Sequence, residues 1–185
     1  MPHPNLLNAN TTALVVVDIQ EAFRDVIPDF AEIARRASIA VRGCQILDVA
    51  VVVTEQYPKG LGNTATEIMT VLPEDFEVFE KTAFSACGAE PFIAKLEDMG
   101  VKQVVLCGLE THVCVNQTAH DLLDRGLQVH VLSDCVTSRF EYNRLAGMAK
   151  MLRSGAIESS IEMALFELMG DAKHPRFKEI QKLIK

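Results

Sequence analysis

Short runs of apolar, mostly β-branched residues recur along the chain, and amphipathic segments separate them. The runs are 13–18 (ALVVVD), 49–55 (VAVVVTE), 77–81 (EVFEK), 103–108 (QVVLCG), 128–134 (QVHVLSD) and 156–162 (AIESSIE). The segments 29–47, 90–99, 113–125 and 141–154 carry apolar residues at helical spacing and predict helices. Gly100 and Gly126 stand directly after two of them, where a residue free to turn left-handed ends a helix. Strands that are apolar throughout, alternating with helices, belong to βαβ units whose parallel sheet is covered on both faces. The expectation is a doubly wound, three-layer α/β/α fold of Rossmann-like type, with a six-stranded, mainly parallel sheet in one domain over 1–185.

Composition narrows this picture. The chain has 185 residues, 49% hydrophobic and 23% charged, enough for one sizeable core. A formal net charge of −7 argues against a nucleic-acid surface, which needs a basic stripe. The one basic concentration, KHPRFKEIQKLIK, is interrupted by Glu179 and reads as a solvated terminal helix. Five scattered cysteines fit neither a disulfide framework nor a CxxC zinc pattern. The segment MPHPNLLNANTT lacks the features of a secretory signal, and no apolar run approaches the ~20 residues that span a bilayer. A reducing, cytoplasmic setting is expected, with mitochondrial association left open.

A doubly wound sheet binds ligands beyond the carboxyl ends of its strands. Those ends carry Asp18, then Thr54, Glu55, Gln56 and Tyr57, then Lys81, and then Gly108 leading to Cys114 in CGLETHVCVNQTAHDLL. A carboxylate, an ammonium and a thiol at one rim suit nucleophilic catalysis. A helix starting near Cys114 is expected to favour its thiolate, with help from Lys81, and its free N–H groups suit an oxyanion. Cys44, Cys87, Cys107 and Cys135 read as core residues instead.

The segments VVVDIQEAF, FEKTAFSA and CGLETHVCVNQTAHDLL resemble the cysteine-hydrolase or isochorismatase-like superfamily. TEQYPKGLGNT and GDAKHPRFKEI make the chain similar, more narrowly, to its isochorismatase-domain-containing branch. The resemblance implies a catalytic triad of Asp18, Lys81 and Cys114. It also implies a cis peptide at Leu109-Glu110, an oxyanion site from the backbone N–H groups of Glu110 and Cys114, and a brace at Thr111. Namesake isochorismatases cleave a vinyl ether without a cysteine, so Cys114 favours a covalent, amidase-like route. The nicotinamidase branch binds metal through an Asp-x-His element where this chain reads TEQYPKG, so no metal or other cofactor is expected.

Phe23, Gln56, Tyr57, Phe84 and His112 are the candidate substrate contacts, with Gln56 a hydrogen-bonding group for an amide or acid and the aromatics setting shape. Asp134, Arg139 and Glu162 read as scaffolding. The leading expectation is a metal-independent hydrolase of small amides, imides or related molecules, self-associating as its relatives do. The alternatives are a binding or assembly protein on the same fold, and a ribonuclease-labelled member of the group.

Overall fold

The computed structural model describes residues 3–185. Six strands form one sheet: β1 Thr12–Val17, β2 Ala50–Gln56, β3 Val78–Lys81, β4 Gln103–Gly108, β5 Gln128–Val136 and β6 Ile157–Ser159. Their order is β3-β2-β1-β4-β5-β6, and every pairing is parallel. The helices are α1 Phe30–Ile46, α2 Pro58–Leu61, α3 Thr66–Met69, α4 Glu90–Asp98, α5 Asn116–Asp124, α6 Glu141–Arg153, α7 Ile161–Met169 and α8 Phe177–Leu183.

Alternation along each strand divides the apolar side chains between two layers. Leu14, Val16, Val53, Val105, Cys107 and Leu132 pack under the face covered by α1 and α7. Ala13, Val15, Val17, Val52, Val104 and Leu106 pack with Phe92 of α4, Leu122 of α5 and Met151 of α6 on the other face. Strand order reverses between β1 and β4, the switch point at which a doubly wound sheet opens a crevice. The register places Val17 between Thr54 and Gly108, and Gln56 beside Lys81. Three strand ends therefore lie side by side before any side chain is considered.

The sheet is parallel throughout, and most elements fall within a few residues of the pattern-based expectation. The last strand is the main difference. β6 stops at Ser159, and Ser160 caps α7 by accepting the Met163 N–H. Helix α7, IEMALFELM, is too apolar around its circumference to show the helical alternation used to find the others. The terminal helix exists as α8, but it is not simply solvated: Ile180 is fully buried against the α1 layer. The expected helix at 113–125 divides into a π turn, Thr111–Val115, followed by α5.

Candidate active site

β1 ends abruptly. Asp18 takes a left-handed conformation at φ 52°, its N–H bonding Thr54 O at 3.2 Å and its carbonyl accepting from Gln20 N at 2.9 Å. A non-glycine residue held there carries strain that neighbouring bonds must offset. The carboxylate is held at both oxygens. Oδ1 accepts the Thr54 hydroxyl at 2.7 Å, and Oδ2 accepts the Lys81 ammonium at 2.6 Å. Lys81 Nζ also donates to Gln56 Oε1 at 2.8 Å and Phe84 O at 2.9 Å, with Ala83 O at 3.3 Å. Three N–H bonds are all an ammonium has, so Lys81 is fully committed. The side chains of Lys81 and Asp18 are 0% and 1% exposed.

The thiol arrives from β4. Gly108 lies at φ 133°, and a Cβ there would fall 2.1 Å from Val17 O, so only glycine lets β4 close on β1 at this point. Leu109 N–H then bonds Val17 O at 2.9 Å. Thr111 donates both its N–H and its hydroxyl to Thr137 O, each at 2.9 Å, and so braces the turn as expected. The Glu110 carbonyl accepts from Val113 and Val115, an i+5 closure that makes the turn π-helical. α6 seals it from outside: a Cβ on Gly147 would come within 2.9 Å of Thr111 O and His112 Cα.

Cys114, 7% exposed, lies in that turn. Burial pushes its thiol up to about 12; the Asp18 charge adds to the rise, and Lys81 opposes it. That direction runs against the stabilised thiolate expected from the sequence. The Lys81 charge is committed to Asp18, and α5 begins two residues beyond the sulfur. The Leu109-Glu110 peptide corrects the sequence expectation too, because it is trans. Gly108 takes the change of direction, and trans is the cheaper form for a non-proline bond. The Glu110 N–H has no acceptor among the described residues.

A model of the isochorismatase domain matches residues 12–163. The chain belongs to the isochorismatase domain family. It is 45% identical to isochorismatase domain-containing protein 1 of Salmo salar over 98% of its own length, spanning 63% of that protein. It is 40% identical to isochorismatase domain-containing protein 2 of Danio rerio, covering 96% of this chain and 89% of the relative. The structure of the MAR1 ribonuclease from Caenorhabditis elegans superposes with a TM-score of 0.92 at 42% identity, over 97% of this chain and 92% of that one.

Within this family fold, the candidate contacts divide. Gln56 holds Lys81 through Oε1 and donates Nε2 to Thr82 O at 2.7 Å, so it positions the ammonium rather than reaching outward. Phe84 is 54% exposed while its carbonyl holds Lys81. Tyr57, 55% exposed at φ 38°, borders a surface cavity of about 420 Å³ that Lys81, Thr82 and Gly88 also line. Phe23 is half-buried against the α1 layer. His112 Nδ1 lies 3.0 Å from Ser138 Oγ, towards the loop after β5.

Four supporting residues had no role in the sequence reading, although Thr54 and Glu55 were placed at the rim. Thr54 orients Asp18, and Thr118 of α5 accepts the Ala86 N–H, tying down the loop that carries Phe84. Gln20 is fully buried and donates Nε2 to Gln56 O and Gly62 O, while its Oε1 accepts from Gln56 N. Glu55 accepts both donors of Thr64. A polar Gln20 within the apolar stretch VVVDIQ was the available signal. Asp134 accepts the Ile161 N–H at the start of α7, and Glu110 accepts from Arg139 through N and Nε, which makes these scaffold contacts. Among the described residues, no group of three or more His, Cys, Asp or Glu is placed to hold a metal.

Proposed function

We propose that the protein is a metal-independent cysteine hydrolase of small amides, imides or related C–N compounds. The observation that carries this is the sealed Lys81–Asp18 pair at the rim where the buried Cys114 arrives. A carboxylate that is already held by a cation is poised to take and return a proton without leaving the site. Asp18 removes the thiol proton as Cys114 sulfur attacks the acyl carbon, and the carbonyl electrons move to oxygen. The Glu110 N–H, which has no acceptor among the described residues, and the Cys114 N–H receive that oxyanion. Collapse breaks the C–N bond, and the amine leaves with the proton from Asp18. Water then loses a proton to Asp18, attacks the thioester, and releases acid and free thiol. Lys81 holds the Asp18 carboxylate in place, while Tyr57 and Phe84 offer exposed aromatic surface at the mouth.

Release of ammonia or amine from a panel of small amides, with intact-mass trapping of an acyl adduct, tests the reading. Cys114→Ala should abolish both. An intact fold with no adduct and no turnover across the panel would instead favour a binding or assembly role. Self-association is part of the proposal, supported by exposed Phe140, Tyr142 and Leu145 at one end of α6, where the two rings stack 5.5 Å apart. Light scattering that returned a monomer would remove it. A ribonuclease reading follows the description of the C. elegans structure, but the net charge of −7 supports it poorly. RNA cleavage surviving Cys114→Ala would revive it.

A further inference from the structure

We propose that Arg139 is a positioning residue for this reaction: it holds the Glu110 carboxylate and offsets its charge beside the place where the oxyanion forms. The inference rests on the reading of Cys114 as nucleophile and deepens it. The residue that offers its N–H to the oxyanion also carries a carboxylate, and Glu110 is only 7% exposed. A glutamate carboxylate cannot lie more than about 6 Å from its own backbone nitrogen. Left uncompensated, that charge repels an oxyanion developing at the same N–H.

Arg139 supplies the compensation. Among the described residues it is the ion-pair partner of Glu110. Its backbone N–H and its Nε both donate to Glu110 Oε1, at 3.0 and 3.1 Å. Lys81, the cation that acts on Cys114, is bonded to Asp18 instead. A donor that carries charge makes the stronger bond to a carboxylate and removes part of its field.

Bracing alone does not account for the guanidinium. The segment 110–112 is tied to 137–139 by bonds that do not involve it. Thr111 donates its N–H and its hydroxyl to Thr137 O, His112 Nδ1 lies 3.0 Å from Ser138 Oγ, and the Arg139 backbone N–H holds Glu110. Thr137 Oγ1 in turn donates to Asp29 Oδ1 at 2.9 Å, which fixes the loop to the start of α1. What the side chain of Arg139 adds is one further bond and a positive charge. The Glu110 charge reaches the sulfur as well: after burial and Asp18, it also pushes the Cys114 thiol up. Half of the Arg139 side chain is exposed, so water screens its charge and the expected effect is moderate.

Two probes separate an effect on the oxyanion from an effect on the thiol. p-Nitrophenyl acetate acylates Cys114: a C–S bond forms, the carbonyl passes through an oxyanion, nitrophenolate leaves, and the thiol proton goes to Asp18. Iodoacetamide alkylates the same sulfur with expulsion of iodide and no oxyanion, and the proton again goes to Asp18. Both rates at Cys114 would be followed by peptide mass spectrometry in the full chain at one pH. The variants are Arg139→Gln alone, Glu110→Gln alone and the two combined. Arg139→Gln should slow acylation about tenfold more than alkylation, the scale of one partly screened like-charge repulsion. In the Glu110→Gln background the same change should cost less than about twofold, because no charge is left to offset. Equal slowing of both reactions, a cost undiminished by Glu110→Gln, or loss of the fold in Arg139→Gln makes Arg139 a brace and overturns the inference. An unchanged acylation rate overturns it too, and leaves the nucleophile reading standing. Wild-type Cys114 reacting with neither probe faster than the buried Cys44 overturns the nucleophile reading, and the positioning role with it.

Discussion

The Lys81 ammonium lies 2.6 Å from Asp18 Oδ2, and neither side chain reaches solvent. Removing one member of a buried pair strands the other charge, which costs about 3–5 kcal/mol, whereas removing both costs far less. Lys81→Met should therefore lower unfolding stability by about that amount at neutral pH. Adding Asp18→Asn should recover part of the loss. Urea unfolding of the two single variants and the double variant measures the coupling, and additive losses would show that the two groups act independently.

The resting state of Cys114 has a spectroscopic signature. With the thiol pushed up to about 12, by burial first and Asp18 second, the thiolate is the minor species well beyond neutral pH. Absorbance at 240 nm, taken as wild type minus Cys114→Ser, should show no step between pH 5 and pH 9, to within about a unit of the ordinary thiol value. A step near pH 6 would mean that Lys81 and the turn dominate over burial.

Gly147 presses α6 onto the turn that carries the nucleophile, with 2.9 Å separating its missing Cβ from Thr111 O. Gly147→Ala must move either the helix or the turn. Because helix interiors favour alanine over glycine by about 1 kcal/mol, part of the packing cost is offset. The expected result is a modest loss of stability with a large loss of Cys114 reactivity, about tenfold or more for a small displacement of a reacting group. Comparing alkylation rate with melting temperature in the same preparation checks it.

His130 on β5 is buried among apolar neighbours; its Nε2 meets Gln128 Oε1 at 3.2 Å, and its Nδ1 has no partner among the described residues. Burial lowers its pKa to about 4. The unfolded chain, with an ordinary histidine, binds the proton first as pH falls. Stability from this residue is thus fully present above about pH 6.5 and is lost on the way down to about pH 4, with roughly 2 kcal/mol gone by pH 5. Urea unfolding at pH 7 and pH 5 should show a smaller acid loss in His130→Leu than in wild type.

Much of this was legible before any coordinates. β-branched runs can be buried only as strands between helical layers, so the doubly wound sheet followed, and with it the rim bearing Asp18, Lys81 and Cys114. Helix α7 was missed because IEMALFELM has too little polar contrast to reveal a period. The trans Leu109-Glu110 bond and the π turn were missed because they depend on Gly108 against Val17 and Gly147 against His112, contacts between residues far apart in the chain.

The order of apolar and polar residues determined the layers, the strand ends and the types of chemical group placed there, since these follow from local periodicity and burial. Tertiary structure decided the rest. The parallel register set Gln56 beside Lys81, where its Oε1 accepts from the ammonium. Closure of the second layer over Cys114 pushes its thiol up, against the thiolate expected from the sequence. Charge state depends on every neighbour within a few ångströms and on the water excluded from among them, and that environment exists only once distant segments have packed together.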